Sequence, residues 1–417
     1  MHVCCTEFTT TACFRRGGEI HATWAGKEAR SFANFKLAPA AMTFGELQPY
    51  TPPPWAAQLT HCPSHRVALV RTPTPVHRLH KVPGLRDGVE VWLKRDDMTG
   101  SDLSGNKIRK LEFLLADALR RDCDSVVTVG GLQSNHARAT CVAARMLGLE
   151  AHAVLRCSAC AVNDDPQLVG NLLPLRLSGA HSHLVTREEY TRVGSRALVE
   201  AVVEQLRSAG KKPYAIPVGG SNAIGTWGYL ECVAELAASD VPKFDHIALA
   251  CGSGGTAAGM ALGIALAGLP SRVTAFGVCD DPEYFYDHVD GIFTELGAGD
   301  LDARKSLRIV QARGAGYAIS KPAELDTIAA LAASCGVVLD PVYVGKSMHA
   351  LLHDIDSHPE IYPPGSRVLL LHTGGLFGAY DKASELLDAL YRVGGGQLTH
   401  GLTALKEEAR KTGREAN

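Results

Sequence analysis

The stretch SGNKIRKLEFLLADAL, residues 104–119, combines a regular apolar helix with a lysine in the first turn of that helix. Ser104 or Asn106 can cap the helix start, and the apolar stripe that predicts the helix consists of Ile108, Leu111, Leu115 and Ala118. Lys107 lies where the positive end of the helix dipole disfavours a cation. Taken alone, Lys107 is typical of a solvated surface lysine. If the position were desolvated, however, the pKa of its amine would fall and the amine could attack a carbonyl carbon.

From about residue 90 the sequence alternates short β-branched runs with longer helical patterns, which is typical of α/β proteins with parallel sheets. The runs that predict buried strands are SVVTVGG (125–131), AHAVLR (151–156), YAIPVGG (214–220), HIALACG (246–252), VTAFGV (273–278) and RVLLLHTGG (367–375). Several of them end in glycines that precede a helix. Because ligands of open α/β sheets bind beyond the carboxyl ends of the strands, we expect these glycine turns to converge on one site.

The glycine loop GSGGTAAG, residues 252–259, follows one of these strands and opens into a helical segment. A glycine turn at a helix N-terminus presents free backbone N–H groups and a positive dipole, which favours phosphate binding. The loop also satisfies the dinucleotide fingerprint, with Asp280 near the position of a ribose-binding acid. At this point a dinucleotide, another phosphorylated cofactor and a purely structural turn all remain open.

A second motif, GGLQSNHAR at residues 130–138, joins the strand SVVTV to the next helical segment. Ser134 and Asn135 stand at N-cap positions, so helix capping alone would account for them. Four polar side chains in succession after two glycines nevertheless exceed what a cap requires, which indicates a binding role.

The composition fits a globular protein of enzyme size, with 417 residues, 46% hydrophobic and 21% charged. Lys+Arg 42 against Asp+Glu 44 gives a net charge of −2, so no basic field exists to attract nucleic acid or an anionic membrane. A run of about 18 apolar residues that would span a membrane does not occur either. The expected partner is therefore a small molecule.

The 12 cysteines have no regular spacing, which favours free thiols in a reducing compartment. The pair Cys157 and Cys160 lacks a second pair or histidines at ligand spacing, so no metal site is expected. The first 45 or so residues are rich in Thr, Ala and Arg but also contain glutamates. A cleaved organelle signal and a disordered extension both remain open, and with them a mitochondrial or a cytoplasmic location.

Five motifs together identify the chain as resembling a known family: SGNKIRKLEFLLADAL, GGLQSNHAR, CGSGGTAAG, LDPVYVGK and LHTGG. Their order and spacing over about residues 66–390 resemble the pyridoxal-phosphate enzymes that comprise D-cysteine desulfhydrase and 1-aminocyclopropane-1-carboxylate (ACC) deaminase. The resemblance implies a two-domain α/β fold of type II, related to tryptophan synthase β, in which each domain is an open, twisted, mostly parallel sheet flanked by helices. It also implies pyridoxal 5'-phosphate as cofactor and a homodimer.

Motif placement and the resemblance together predict the domain boundaries. Residues 47–111 and 223–400 are expected to form a large cofactor-binding domain, and residues 112–222 a small domain, with the cofactor between them. Residues 1–46 would be an N-terminal extension or transit peptide, and residues 401–417 a C-terminal tail.

The resemblance assigns roles to residues that match the family's motifs. Lys107 resembles the lysine that binds the cofactor covalently and moves the α-proton. Lys110 would hold the phosphate together with the backbone of Gly252, Ser253, Gly254, Gly255 and Thr256. Contacts to the cofactor ring are implied for Asn135 and Thr373, at the ring hydroxyl and the ring nitrogen, and contacts to substrate for Ser134, Tyr317 and Tyr343.

Two positions bear on which reaction the family member carries out. Deaminases of the family carry Glu after the tyrosine of DPVY and Leu before the last two glycines, whereas this sequence has Val344 and Thr373. The resemblance therefore implies a carbon–sulfur lyase that cleaves D-cysteine to pyruvate, hydrogen sulfide and ammonia. ACC deamination to 2-oxobutanoate and ammonia, another D-amino-acid lyase and, from a different class, a nicotinamide-dependent oxidoreductase remain as alternatives.

Overall fold

The computed structural model describes residues 44–158 and 164–396. Its strands, in chain order, are β1 Leu47–Pro49, β2 His65–Val67, β3 Val76–Arg78, β4 Glu90–Lys94, β5 Ser125–Gly131, β6 Glu150–Cys157, β7 His181–Thr186, β8 Pro213–Ala215, β9 His246–Cys251, β10 Arg272–Gly277, β11 Leu307–Gln311 and β12 Arg367–Leu371.

The α-helices of the described ranges are α1 Lys107–Arg120, α2 Asn135–Met146, α3 Leu172–Leu177, α4 Arg187–Val193, α5 Ser195–Ser208, α6 Ala223–Ala238, α7 Gly255–Leu266, α8 Pro282–Glu295, α9 Ala303–Ser306, α10 Pro322–Cys335, α11 Val344–Ser357, α12 Leu376–Asp381 and α13 Ala383–Arg392. Short 3-10 turns cover Pro54–Ala56, Asp96–Met98 and Val218–Gly220. None of the helices in these ranges has the length and apolar character needed to cross a lipid bilayer.

The strands form two main sheets and a small antiparallel pair, β1 with β2. The six-stranded sheet has the order β11-β10-β9-β12-β4-β3 and is parallel except where β3 pairs with β4. The four-stranded sheet has the order β7-β6-β5-β8 and is entirely parallel. Parallel strands joined by helices give the α/β fold that the sequence predicts.

Both faces of the six-stranded sheet are buried, because alternate residues of a strand point to opposite sides. In β12, Leu369 and Leu371 belong to the core beneath α6, α7 and α8, whereas Val368 and Leu370 belong to the core beneath α10 and α11. The four-stranded sheet is covered in the same way, by α1 and α2 on one face and by α5 on the other. Such double burial explains why the strands read as continuous apolar runs.

All six predicted strand runs overlap a strand of the structure. In the run YAIPVGG, however, the strand is shorter than predicted. There the strand ends at Ala215 and the glycines form a 3-10 turn, since Pro217 cannot donate to a sheet. Helix α13 lies within the segment DKASELLDALYRV, and the predicted C-terminal tail, residues 401–417, lies outside the described residues. The strands of the four-stranded sheet fall within residues 112–222, but the domain boundaries themselves stay a prediction.

Helix α1 is held against α6 by a backbone-to-backbone approach at Gly228. A β-carbon at Gly228 would collide with the backbone oxygen of Arg109, so only glycine permits this spacing. The contact fixes the first turns of α1, which contain Lys107 and Lys110.

We expect Gly228→Ala to destabilise the protein by about 1–3 kcal/mol, because α1 must move to make room for the methyl group. Gly291→Ala is the matched control, since Gly291 lies in α8 with nothing within 4 Å of the added β-carbon. The control should be stabilised by about 0.5–1 kcal/mol through helix propensity alone. Urea unfolding of the cofactor-loaded proteins at one protein concentration measures both. Equal effects of the two substitutions would contradict the close contact.

Candidate active site

The carboxyl ends of strands from both sheets meet at one cavity, as the glycine turns predicted. A pocket with about 390 Å³ of free space is lined by the loop after β9, by Thr373 in the loop after β12 and by the starts of α1 and α2. The pocket joins a larger cavity of about 1520 Å³ through shared residues. The residues common to both are Lys107, Gly252, Ser253 and Tyr343.

The start of α1 is pinned against the loop that follows β12. Gly105 has a φ of +106°, and a β-carbon there would lie 2.9 Å from the backbone oxygen of Thr373. The backbone N–H of Asn106 donates to that same oxygen at 3.1 Å. The side-chain amide of Asn106 donates to Thr256 Oγ1 at 3.1 Å instead of capping the helix, so the capping prediction for Asn106 was wrong.

Lys107 lines both cavities. Burial lowers the pKa of its amine to about 8, because removing water disfavours the charged form. The buried lysines Lys94 and Lys346 serve other contacts: Lys94 pairs with Glu235, and Lys346 Nζ donates to three backbone oxygens at 2.7 to 2.9 Å. Among these three lysines, Lys107 is therefore the amine that faces the site.

The glycine loop forms a cradle that lies close to two serine hydroxyls and a lysine amine. Gly254 has a φ of +82°, and the next N–H, that of Gly255, donates to Ser221 Oγ at 3.0 Å. Ser221 Oγ also lies 2.8 Å from Ser253 Oγ. A β-carbon on Gly255 would approach Lys110 Nζ to 3.0 Å. The loop, two hydroxyls and a buried amine are thus brought together at the N-terminus of α7, as a phosphate site requires.

Lys110 is buried beside this loop, and its Nζ donates to the backbone oxygen of Gly219 at 3.2 Å. Burial and the charge of Lys107 hold the pKa of the Lys110 amine well below its ordinary value. A bound dianion would relieve both effects, because an opposite charge nearby favours the protonated amine.

Ser134 and Asn135 begin α2 at the edge of the two cavities. Ser134 Oγ accepts from the N–H of Ala137 at 3.1 Å, so the capping role is confirmed, and Ser134 also lines the larger cavity. The side-chain oxygen of Asn135 is buried without a hydrogen-bond partner among the described residues, although Asn135 lines the smaller cavity. A buried acceptor left unpaired is costly, which points to a donor on a bound group.

Tyr317 and Tyr343 meet at the wall of the larger cavity, with their hydroxyl oxygens 2.7 Å apart. Burial raises the pKa of both phenols, so each remains a neutral donor and acceptor near neutral pH. The guanidinium of Arg156 lies 5.4 Å from the ring centre of Tyr317, within the range of a cation–π contact.

Thr373 and Val344 have different surroundings. Thr373 lines the smaller cavity, whereas Val344 is fully buried in the core beneath α10 and α11. No aspartate or glutamate of the described residues lines the smaller cavity. The nearby Asp340 instead accepts from the backbone N–H groups of Val342, Tyr343 and Val344 at 2.8 to 3.0 Å, and burial raises its pKa to about 6.

Several residues that the fold brings to the site are not predicted from the sequence. Ser221 follows the paired glycines after β8, a repeat of the Gly-Gly and Ser-Asn pattern at residues 130–135 that could have indicated it. Asn106 was assigned only a capping role. The remaining missed residues line the larger cavity and carry no local sequence signal, and they include Arg156, Tyr190, Cys279, Tyr284 and His288.

Comparison with known proteins gives the class to which this fold and site belong. A family model described as pyridoxal-phosphate dependent enzyme matches residues 67–374, and the chain belongs to this family. The cofactor of this family is pyridoxal phosphate, a phosphorylated cofactor that is not a dinucleotide.

Individual relatives lie within the same family. The chain is 48% identical over 363 residues to the mitochondrial bifunctional D-cysteine desulfhydrase/1-aminocyclopropane-1-carboxylate deaminase of Arabidopsis thaliana, covering 86% of this chain and 90% of that one. It is 34% identical over 318 residues to D-cysteine desulfhydrase of Salmonella newport, covering 74% and 94%. A crystal structure of an ACC deaminase homologue superimposes with a TM-score of 0.70 at 33% identity, covering 82% of this chain and 100% of that one.

The described residues fit pyridoxal phosphate. The cradle of residues 253–255 with Ser221 and Lys110 would hold the phosphate, Lys107 would bind the aldehyde carbon, and the unpaired oxygen of Asn135 would accept from the ring hydroxyl. Pyridoxal phosphate supplies, when bound, an electron sink for negative charge that develops on the α-carbon of an amino acid.

Lys107→Ala should abolish the yellow absorbance of the bound cofactor and lower turnover by at least about 10²–10⁴-fold, because both the covalent bond and the proton carrier are lost. Lys305→Ala is the control, since the Lys305 side chain is 85% exposed. Absorbance spectra and product formation are compared in the same preparations. Retention of full turnover by the alanine variant at residue 107 would contradict the assignment.

The rate at which the cofactor-free protein regains colour with added pyridoxal phosphate should rise with pH through about 8, the lowered pKa of the Lys107 amine. The neutral amine is the nucleophile, so the rate falls as protons are added below that pH. Stopped-flow absorbance across a pH series measures it. A midpoint near the ordinary lysine value of 10.5 would show that Lys107 is not desolvated.

Proposed function

We propose that this chain catalyses α,β-elimination of D-cysteine, which with one water gives pyruvate, hydrogen sulfide and ammonia. The observation that carries the proposal is the lining of the smaller cavity, where Thr373 and no carboxylate of the described residues faces the space beside Lys107. A hydroxyl does not enforce protonation of the cofactor's ring nitrogen as a carboxylate would. A moderated electron sink suits a reaction in which the β-substituent leaves soon after the α-proton is removed.

Two relatives support the proposal by their names. Both the Arabidopsis thaliana protein, at 48% identity, and the Salmonella newport protein, at 34%, are called D-cysteine desulfhydrases. The departing thiolate of D-cysteine is a good leaving group, so the step needs little further activation of the carbon–sulfur bond.

Within this proposal, the side chains of the site have separate tasks. Lys107, whose pKa is lowered to about 8 by burial, is partly neutral near physiological pH and removes the α-proton in that form. The hydroxyls of Tyr317 and Tyr343, 2.7 Å apart, can pass a proton between them and donate it to the leaving sulfur. Ser134, at the start of α2 beside the larger cavity, orients the substrate carboxylate. These site roles, and those of Lys110, Asn135 and residues 252–256 toward the cofactor, are part of the proposal.

ACC deamination is the second candidate activity. The name of the Arabidopsis thaliana relative includes both activities, and the hydroxyl pair of Tyr317 and Tyr343 offers an acid and a base to the carbons of a strained ring. Opening a carbon–carbon bond requires a stronger electron sink than expelling thiolate, so we place this activity second.

The homodimer and the location of the chain are also part of the proposal. A homodimer rests on the family resemblance. A mitochondrial location is supported by the word mitochondrial in the name of the Arabidopsis thaliana relative and by the Arg- and Thr-rich N-terminal residues.

The purified protein should release sulfide and pyruvate from D-cysteine faster than it forms keto acid from L-cysteine, D-serine or ACC. Thr373→Val removes the hydroxyl at nearly constant volume and should lower kcat on D-cysteine, whereas Thr373→Ser should retain most of it. Position 344, where deaminases of the family carry glutamate, is a poorer site for substitution, because a glutamate there would be buried in an apolar core. Faster turnover of ACC than of D-cysteine would replace the first candidate by the second.

A further inference from the structure

Four side chains that the proposed reaction does not use form a cluster on the four-stranded sheet. Glu150 and His152 lie on one face at the start of β6, and His181 and His183 lie on the same face at the start of β7, because residues two apart on a strand point to the same side. The parallel pairing sets His152 directly opposite His181. The two imidazole rings stack with centroids 4.6 Å apart and an interplanar angle of 12°.

Three ligand atoms converge within this cluster. His152 Nε2 lies 3.1 Å and His181 Nε2 lies 3.3 Å from the same carboxylate oxygen, Glu150 Oε1, and all three atoms lie within 4.8 Å of one another. A tetrahedral zinc ion with bonds of about 2.0–2.1 Å separates its ligand atoms by about 3.3–3.4 Å. The side chain of His181 is 59% exposed, so its ring can turn to complete this geometry.

The surroundings of the cluster favour metal ligation over a simple ion pair. His152 Nδ1 lies 3.1 Å from His183 Nε2, which provides the second hydrogen bond that orients most metal-binding histidines. Lys211 Nζ holds the other oxygen of Glu150 at 2.6 Å, leaving Oε1 directed at the histidines.

The cluster is separate from the cofactor cavity. Glu150 pairs with Ser125 at the start of β5, and Gly131, which lines the larger cavity, is six residues farther along that strand. Six residues of extended strand span about 20 Å. An ion bound at the cluster would therefore join β6 to β7 at the amino end of the sheet without touching the reacting groups.

We propose that Glu150, His152 and His181 form a binding site for a divalent transition-metal ion, with Zn²⁺ as the preferred ion and His183 as the hydrogen-bonding support of His152. Two imidazoles and one carboxylate are the donor set that Zn²⁺ accepts in three-ligand sites, where water completes the coordination. The sequence predicts no metal site around Cys157 and Cys160, and the proposed site uses neither cysteine.

The test is to treat the holoenzyme with a chelator and then titrate it with metal. Calorimetry measures the binding of Zn²⁺, and visible absorbance measures the binding of Co²⁺. One ion per chain is expected, with a Co²⁺ spectrum of nitrogen and oxygen ligands. His181→Gln should weaken the affinity more than about tenfold and leave D-cysteine turnover unchanged. His181 is the first choice because it is exposed, so its replacement does not endanger folding; Glu150→Gln is the second variant.

His358→Gln is the matched control, since the half-exposed His358 lies outside the cluster and contacts two carboxylates, with Nδ1 3.1 Å from Glu360 Oε1 and Nε2 3.8 Å from Asp354 Oδ1. The control should bind Zn²⁺ as the unaltered protein does. The proposal is overturned if the protein does not bind Zn²⁺, if His181→Gln binds it with unchanged affinity, or if the Co²⁺ spectrum has the charge-transfer band of thiolate ligands.

Discussion

The contact on which the site depends is the one between the turn before α1 and the loop after β12. A β-carbon on Gly374 would lie 2.7 Å from the α-carbon of Gly105, and the N–H of Asn106 is bonded to the backbone oxygen of Thr373 at 3.1 Å. Two glycines are needed for such an approach, since side chains would separate the segments. The contact fixes the first turn of α1 at the carboxyl ends of β9 and β12, so Lys107 is directed into the cavity by the backbone rather than by a partner of its own side chain.

Burying two amines close to one glycine loop is unfavourable in the absence of an anion, and the lowered pKa values of Lys107 and Lys110 express this cost. The glycine cradle of α7 adds further positive potential. In the proposed site, a phosphate dianion would compensate the charge of Lys110, while Lys107 would remain neutral enough to act as nucleophile and base. The same electrostatic arrangement would then favour a phosphorylated cofactor and activate the lysine proposed to bind it.

The α/β fold and the convergence of the glycine turns could be predicted from the sequence, because each depends on local patterns such as strand runs that end in glycine. The cofactor was implied only by the resemblance of five motifs to a known family. The sequence does not predict the surroundings of Ser221, Arg156 and Asn106, because their partners lie far away in the chain. The side chain of Asn106, for example, reaches Thr256 across the site. The histidine cluster could not be predicted from the sequence for the same reason. Its ligands become neighbours only through the register that sets His152 opposite His181, and register between distant strands has no local sequence signal.

The most direct test of the central claim is to identify the lysine that carries the cofactor. Reducing the holoenzyme with borohydride converts the bond between cofactor and lysine into a stable amine, and peptide mass spectrometry then locates the pyridoxyl group. We predict modification of Lys107 at close to one pyridoxyl group per chain. Modification of Lys110, of Lys94 or of Lys346 in its place, or a chain that carries no pyridoxyl group, would contradict it.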